Sequence, residues 1–256
     1  MTAFDAKALA GRIAVVTGAG GGLGGAITAE LSRMGATVIK LDIRGSGRPT
    51  TGNVVALTCD ITDTDDIAAT ADDIRARFGG CDILVNNAAI LPPAHDFAAM
   101  SVSDWDQVFA VNLRGAMLCT RSFGQQMMAA GAGAIVNVTS IAAALPNAVP
   151  AYGPSKAGLL GLTRQIAVEW GPLGIRANAV SPGLVRTPMS EDFYADKARH
   201  EARSSRVAQR RIGVPEDIAS VVAFLASDAA SYVNGQEITV DGGFGLTALM
   251  SLQDQN

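Results

Sequence analysis

Short, almost wholly apolar runs recur along the chain and alternate with longer stretches whose apolar residues fall three and four apart. Period and length together predict seven strands, at 12–17, 36–42, 53–59, 81–86, 133–139, 174–181 and 236–240, and helices near 22–34, 64–78, 103–130, 152–170 and 215–226. Pro215-Glu216-Asp217 opens the last helix, with proline in a first turn that has no use for its missing N–H. Strands that are apolar on both faces belong in a sheet covered on both sides, and strict β–α alternation makes that sheet parallel. The expected fold is therefore α/β, a single-domain Rossmann fold with a doubly wound seven-stranded parallel sheet and helices on both faces.

Two segments break the alternation. Between Asp42 and Asn53 the run from Arg44 to Gly52 is full of glycine, proline and serine with no apolar period, so no crossover helix is expected there. The tail 244–256 carries Phe244, Leu246, Leu249, Met250 and Leu252, which is apolar enough to suggest packing on a partner subunit.

Composition narrows the function. The 256 residues are 48% hydrophobic, ample for one large core, and 20 basic against 24 acidic side chains give a net charge of −4 without any long run of one sign. A nucleic-acid partner is disfavoured and a small-molecule role favoured. Cys59, Cys81 and Cys119 lie in apolar stretches and read as reduced core residues. With no charged leader and no apolar stretch of about 18 residues, a cytoplasmic protein without a membrane partner is expected. Two histidines and dispersed cysteines make no zinc site, so no metal is expected.

Chemistry enters at the first strand-to-helix turn. Thr17-Gly18-Ala19-Gly20-Gly21-Gly22-Leu23-Gly24 follows Ile13-Ala14-Val15-Val16, and such a turn lets the backbone approach a pyrophosphate at a helix N-terminus. Spacing leaves the glycine register open, since Gly20, Gly22 and Gly25 also satisfy G-x-G-x-x-G; a count from Gly18, directly after the strand, is geometrically better. Asp42 ends the next strand about 20 residues on, where a carboxylate would accept from both adenosine ribose hydroxyls and repel a 2′-phosphate. NAD is expected over NADP, with Arg44 as a contrary sign. Tyr152 and Lys156 stand four apart on one helical face and can share a proton-transfer site. A phenol is a poor base near neutral pH, and an adjacent ammonium favours its ionised form. Ser140 closes the fifth strand at the carboxyl edge where ligands bind in open parallel sheets, placed to orient a substrate oxygen.

These motifs, with Asp60-Ile61, Asn86-Asn87-Ala88-Ala89, Asn112 and Ser181-Pro182-Gly183-Leu184-Val185-Arg186-Thr187, occur in an order that resembles the short-chain dehydrogenase/reductase family from about Gly11 to Gly243. The resemblance implies an NAD-dependent oxidoreductase that interconverts a secondary alcohol and a ketone. Tyr152 would be the acid/base, Lys156 would lower its pKa and hold the nicotinamide ribose, Ser140 would orient substrate, and Asn112 would hold a water on the proton path. The cofactor would lie on Gly18, Gly20, Gly21, Gly22, Leu23, Gly24, Asp42 and Ile43. Asp60 and Ile61 would face adenine, Asn87, Ala88 and Ala89 the ribose and nicotinamide side, and Pro182, Gly183, Val185 and Thr187 the carboxamide. A homotetramer is also implied.

The sequence departs from the family in three places. The interval from Ser140 to Tyr152 is one residue short, so counting back from the tyrosine selects Thr139 while counting forward along the strand selects Ser140; the strand count is preferred. Ala89 replaces a usual glycine, and the helix after Asp42 is missing. The segment 188–214 corresponds to the substrate cover and is rich in arginine, with Lys197, Arg199, Arg203, Arg206, Arg210 and Arg211 beside His200. A solvated helix face with internal ion pairs, or a subunit contact, is favoured there over recognition of an anionic substrate. Small apolar walls from Ile90 to Pro93 and from Ala142 to Val149 suggest a modest alcohol or ketone, and His95 reads as a surface residue. Two rival functions remain, an NADP-dependent 3-oxoacyl-type reductase and a non-catalytic dinucleotide-sensing module.

Overall fold

In a computed structural model of the protein, residues 7–43 and 52–247 are described. All seven strands form, each within two residues of its expected ends: β1 (Ile13–Thr17), β2 (Thr37–Asp42), β3 (Val54–Thr58), β4 (Ile83–Asn86), β5 (Gly133–Val138), β6 (Ile175–Pro182) and β7 (Glu237–Val240). They make one sheet in the order β3-β2-β1-β4-β5-β6-β7, and every neighbouring pair is parallel. The strand order reverses between β1 and β4, so the crevice for a ligand opens at their carboxyl ends.

Alternate residues of each strand enter two cores. On one face, Val16, Val38, Val85 and Val136 pack beneath α1 (Gly22–Arg33) and a later helix at Pro215–Ala226, through Ile27, Leu31, Val222 and Leu225. On the other, Val15, Ile39, Leu84 and Ile135 meet α2 (Thr64–Phe78) and two further helices through Ile67, Ile74, Phe123 and Ile166. Local signals set the ends of α2. The Asp63 carboxylate accepts from the amides of Asp65 and Asp66, and Gly79 takes the left-handed conformation that closes the helix.

The helix expected at 103–130 is not continuous. It divides into α3 (Val102–Phe109), a π-helical stretch at Ala110–Gly115, and α4 (Ala116–Ala130). The widened turn lets the Asn112 side chain, fully buried, point inward to bond the backbone of Ile90, which a regular helix at that phase does not arrange. Next comes α5 (Tyr152–Trp170). The covering segment, given no element from its pattern, contains a short α6 (Lys197–Ser205) capped by the Asp196 carboxylate, ahead of α7 (Pro215–Ala226). Arg44 and the rest of 44–51, with Leu249, Met250 and Leu252 of the tail, lie outside the described residues. No helix among the described residues is long and apolar enough to cross a membrane.

Candidate active site

A cleft of about 600 Å³ opens at the carboxyl ends of the strands, on the switch between β1 and β4. Its floor is the β1–α1 turn. Gly18 has φ +62°, and a Cβ there would lie 2.7 Å from the Ala88 backbone; a Cβ on Gly24 would lie 2.3 Å from the Gly18 carbonyl oxygen. Glycine therefore lets the first turn nest against both the helix and the loop after β4. Asn87 fastens that nest, its amide group donating to the carbonyls of Thr17 and Gly18. The N-terminus of α1 has no side-chain cap and no acid in its first turn, and Gly21, Gly22, Leu23 and Gly24 line the cleft, a donor-rich cradle for a diphosphate.

Gly20 acts through its backbone. It does not line the cleft; its amide donates to the Asp42 carboxylate at 2.9 Å. That bond fixes the acid at the end of β2, where Asp42 and Ile43 form one wall. Asp60, Ile61, Asn87, Ala88 and Ala89 continue the lining, followed by Pro182, Gly183, Val185 and Thr187 on the opposite side. Asp60 is held in turn, accepting from the amide and hydroxyl of Thr62.

Ser140, Tyr152 and Lys156 meet at the far end of the cleft. Ser140 hydrogen-bonds the Tyr152 hydroxyl, which opposes the upward push that burial gives the phenol pKa. Lys156 is 2% exposed, and its ammonium donates to the Val138 carbonyl at 2.8 Å and stands 5.7 Å from the Tyr152 ring centre. Burial lowers its pKa to about 8. Thr139, the residue one earlier, turns away into β6, its hydroxyl bonded to the Val180 carbonyl and to Ser181. Counting along the strand therefore found the serine that faces the phenol.

Asn112 is held from the loop after β4. Its side-chain oxygen accepts from the Ile90 amide, and its nitrogen donates to the Ile90 carbonyl and the Ser155 hydroxyl. It does not line the cleft; its side chain braces the loop after β4 against α5.

Of the cover, Pro188 and Met189 reach the cleft. The excursion is pinched at its neck by a parallel bridge between Val185 and Gly213. Its cations are largely occupied within the fold: Arg211 pairs with Asp217, Lys197 with Glu201, Arg203 lies over Phe193 and Tyr194, and Arg210 donates to the Ser205 carbonyl. Cys59, Thr62, Gln107, Val111 and Met189 also line the cleft without having been anticipated. Gln107 and Val111 share one face at helical spacing across the end of α3 and the π-helical stretch, but only tertiary packing brings that face to the cleft.

A family profile described as enoyl-(acyl carrier protein) reductase matches residues 18–245. The chain is 38% identical over 253 residues to D-threitol dehydrogenase of Mycolicibacterium smegmatis, covering 94% of this chain and 95% of that protein. It is 40% identical over 249 residues to cis-4-hydroxycyclohexanecarboxylate dehydrogenase of Sinomonas cyclohexanicum, covering 93% and 98%. A gluconate 5-dehydrogenase from Burkholderia cenocepacia, solved in complex with NADP and tartrate, superposes with a TM-score of 0.88 at 30% identity over 94% of this chain and 98% of that one. With the glycine turn and the serine, tyrosine and lysine that line the same cleft, these likenesses show that the chain belongs to the short-chain dehydrogenase/reductase family and is an oxidoreductase acting on alcohol groups.

Proposed function

We propose that the protein interconverts a small secondary alcohol and its ketone with NAD, using Tyr152 as the acid/base. The observation that carries the reading is the convergence of the Ser140 hydroxyl, the Tyr152 phenol and the buried Lys156 ammonium at one end of a cleft whose other end is a glycine cradle. A nicotinamide dinucleotide, when bound, takes or supplies the hydride. The chain supplies the rest. Ser140 orients the substrate oxygen and stabilises charge developing on it. Tyr152 takes the hydroxyl proton in oxidation and returns it in reduction, and the Lys156 ammonium favours the phenolate.

The choice of NAD rests on Asp42, fixed by the Gly20 amide on the cleft wall where a ribose 2′-phosphate would meet its charge. The NADP in the similar gluconate 5-dehydrogenase weighs the other way. The substrate class follows the names of the similar enzymes, a small polyol or hydroxy acid. A homotetramer is proposed with it, consistent with apolar Val102, Val168, Leu173 and Tyr232 on the surface, and light scattering would give its mass.

The test is reduced-cofactor formation over neutral polyols, simple secondary alcohols and hydroxy acids, with NAD and NADP, for the wild type, Tyr152→Phe and Asp42→Ala. Wild-type turnover that collapses in Tyr152→Phe supports the reading, and retained turnover removes the phenol from the chemistry. Asp42→Ala also releases Gly20, so affinity for both nucleotides falls; the NAD affinity should fall further, by about tenfold relative to NADP. Equal losses would take Asp42 away from the ribose, and binding without turnover on any alcohol would favour a dinucleotide sensor.

A further inference from the structure

Behind the catalytic end of the cleft, three side chains from adjacent strands form a hydrogen-bonded chain that reaches the edge of the sheet. The Thr139 hydroxyl lies 2.6 Å from that of Ser181, and Ser181 donates to the Glu237 carboxylate at 2.5 Å. Thr139 and Ser181 are buried, Glu237 is half-buried, and Glu237 stands on β7, the last strand of the sheet.

The direction of this chain is set from its far end. An ionised carboxylate can only accept, so the single hydroxyl proton of Ser181 is committed to Glu237. The Ser181 oxygen is then left as an acceptor, and the contact with Thr139 must be donated by Thr139. The same Thr139 hydroxyl lies 2.9 Å from the Val180 carbonyl, and the Thr139 amide donates to that oxygen at 2.8 Å. Thr139 is thus tied to β6 through both backbone and side chain.

Its position in the sequence gives the tie a consequence. The carbonyl immediately before Thr139, that of Val138, holds the Lys156 ammonium, and the residue immediately after it, Ser140, bonds the Tyr152 hydroxyl. A rotation of the backbone at Thr139 would move both contacts at once. We infer that Glu237, through Ser181 and Thr139, is a positioning residue that holds the Val138 carbonyl and the Ser140 hydroxyl in register with Lys156 and Tyr152. Without an acceptor at 237 the order of donors reverses: Ser181 donates to Thr139, Thr139 donates to the Val180 carbonyl alone, and the strand end is drawn out of the register that the Val138 carbonyl and the Ser140 hydroxyl need.

The inference rests on the roles given above to Ser140, Tyr152 and Lys156. Glu237→Leu should lower kcat about tenfold, the equivalent of one lost hydrogen bond, with KM for alcohol and nucleotide changed less than about twofold. Glu237→Gln keeps an acceptor oxygen and should restore kcat to within about threefold of the wild type. Thr139→Val should reproduce the loss, and the double variant should be no worse than either single one, because the two residues act through one chain. Ultraviolet difference titration against Tyr152→Phe should place Tyr152 ionisation at higher pH in Glu237→Leu than in the wild type, a readout that needs no substrate. Wild-type kcat and ionisation in Glu237→Leu, a failure of Gln to restore, or additive losses would each overturn the inference. Should Glu237→Leu not fold, Thr139→Val carries the test, and its behaving as wild type overturns it. Wild-type silence over all alcohols would instead sink the proposed reaction, leaving the titration to judge the chain of residues.

Discussion

Ser140 and Thr139 carry similar hydroxyls on neighbouring residues, yet strand alternation sends one to the phenol and the other into the sheet. The Ser140 hydroxyl also accepts from the Ala142 amide at 3.1 Å, so its second lone pair and its proton remain for the cleft. Ser140→Ala therefore removes a group that can bond both the phenol and a substrate oxygen. We expect kcat to fall by about 10²–10³, the scale for losing one oxyanion donor, while nucleotide affinity stays near the wild-type value. Because the serine lowers the pKa of a phenol that burial raises, the alkaline rise of alcohol oxidation should also move to higher pH in the variant. A pH–rate profile checks both parts; an unchanged midpoint would mean that Ser140 acts on substrate alone. The same alternation explains why Ser140 was legible from the strand although the interval to Tyr152 is short: the missing residue falls in the loop, which the strand geometry does not feel.

Four elements are joined by polar groups inside the second core. The Asn86 side-chain amide on β4 donates to Thr120 on α4 and to Asn137 on β5, and Asn137 donates to Thr163 on α5, which donates in turn to the Leu159 carbonyl. Asn137→Ala would leave the Asn86 amide short of one acceptor and open a small cavity. The loss should be about 2–3 kcal/mol in urea unfolding, and a loss below about 0.5 would show that the network relaxes around the gap. Such networks are invisible in the sequence, where Asn86 and Asn137 read as polar breaks in apolar strands, whereas the strands themselves were legible because both faces are buried and most of their residues are apolar. The helix from 102 to 130 marks the boundary of that legibility. Its apolar period continues through Ala110–Gly115, so nothing in the pattern separates a π turn from an α turn; the burial of Asn112 against Ile90 decides it. Helix α6 was missed for the opposite reason, since Lys197–Ser205 has no apolar stripe and only its Asp196 cap marks its start. The cleft-facing Gln107 and Cys59 depend on tertiary approach alone.

At the scale of the whole molecule, the catalytic end of the cleft works against stability. Lys156 is enclosed with no carboxylate partner among the described residues, and burial holds its pKa at about 8, below that of a free lysine. Below about pH 8 the lysine is protonated in both folded and unfolded chains, so the cost of burying its charge is fully present. Between about pH 8 and 10 the folded protein releases the proton first, the unfolded chain binds more protons, and this group's contribution to stability rises with pH. The buried thiols oppose it. Cys59, Cys81 and Cys119 are all pushed up by burial, Cys59 to about 11, so in the same window the unfolded chain ionises first and their contribution falls. The total slope therefore does not isolate the lysine, but the difference between two proteins sharing the thiols does. Lys156→Met fills similar space without the charge and forfeits one bond to the Val138 carbonyl. It should abolish turnover yet stabilise the fold by about 1–3 kcal/mol near pH 7, and that advantage should shrink as pH climbs from about 8 to 10. Urea midpoints of both proteins across that range measure it. A variant less stable at neutral pH, or an advantage that does not change with pH, would show that the Val138 bond outweighs the buried charge and that the site carries no stored cost.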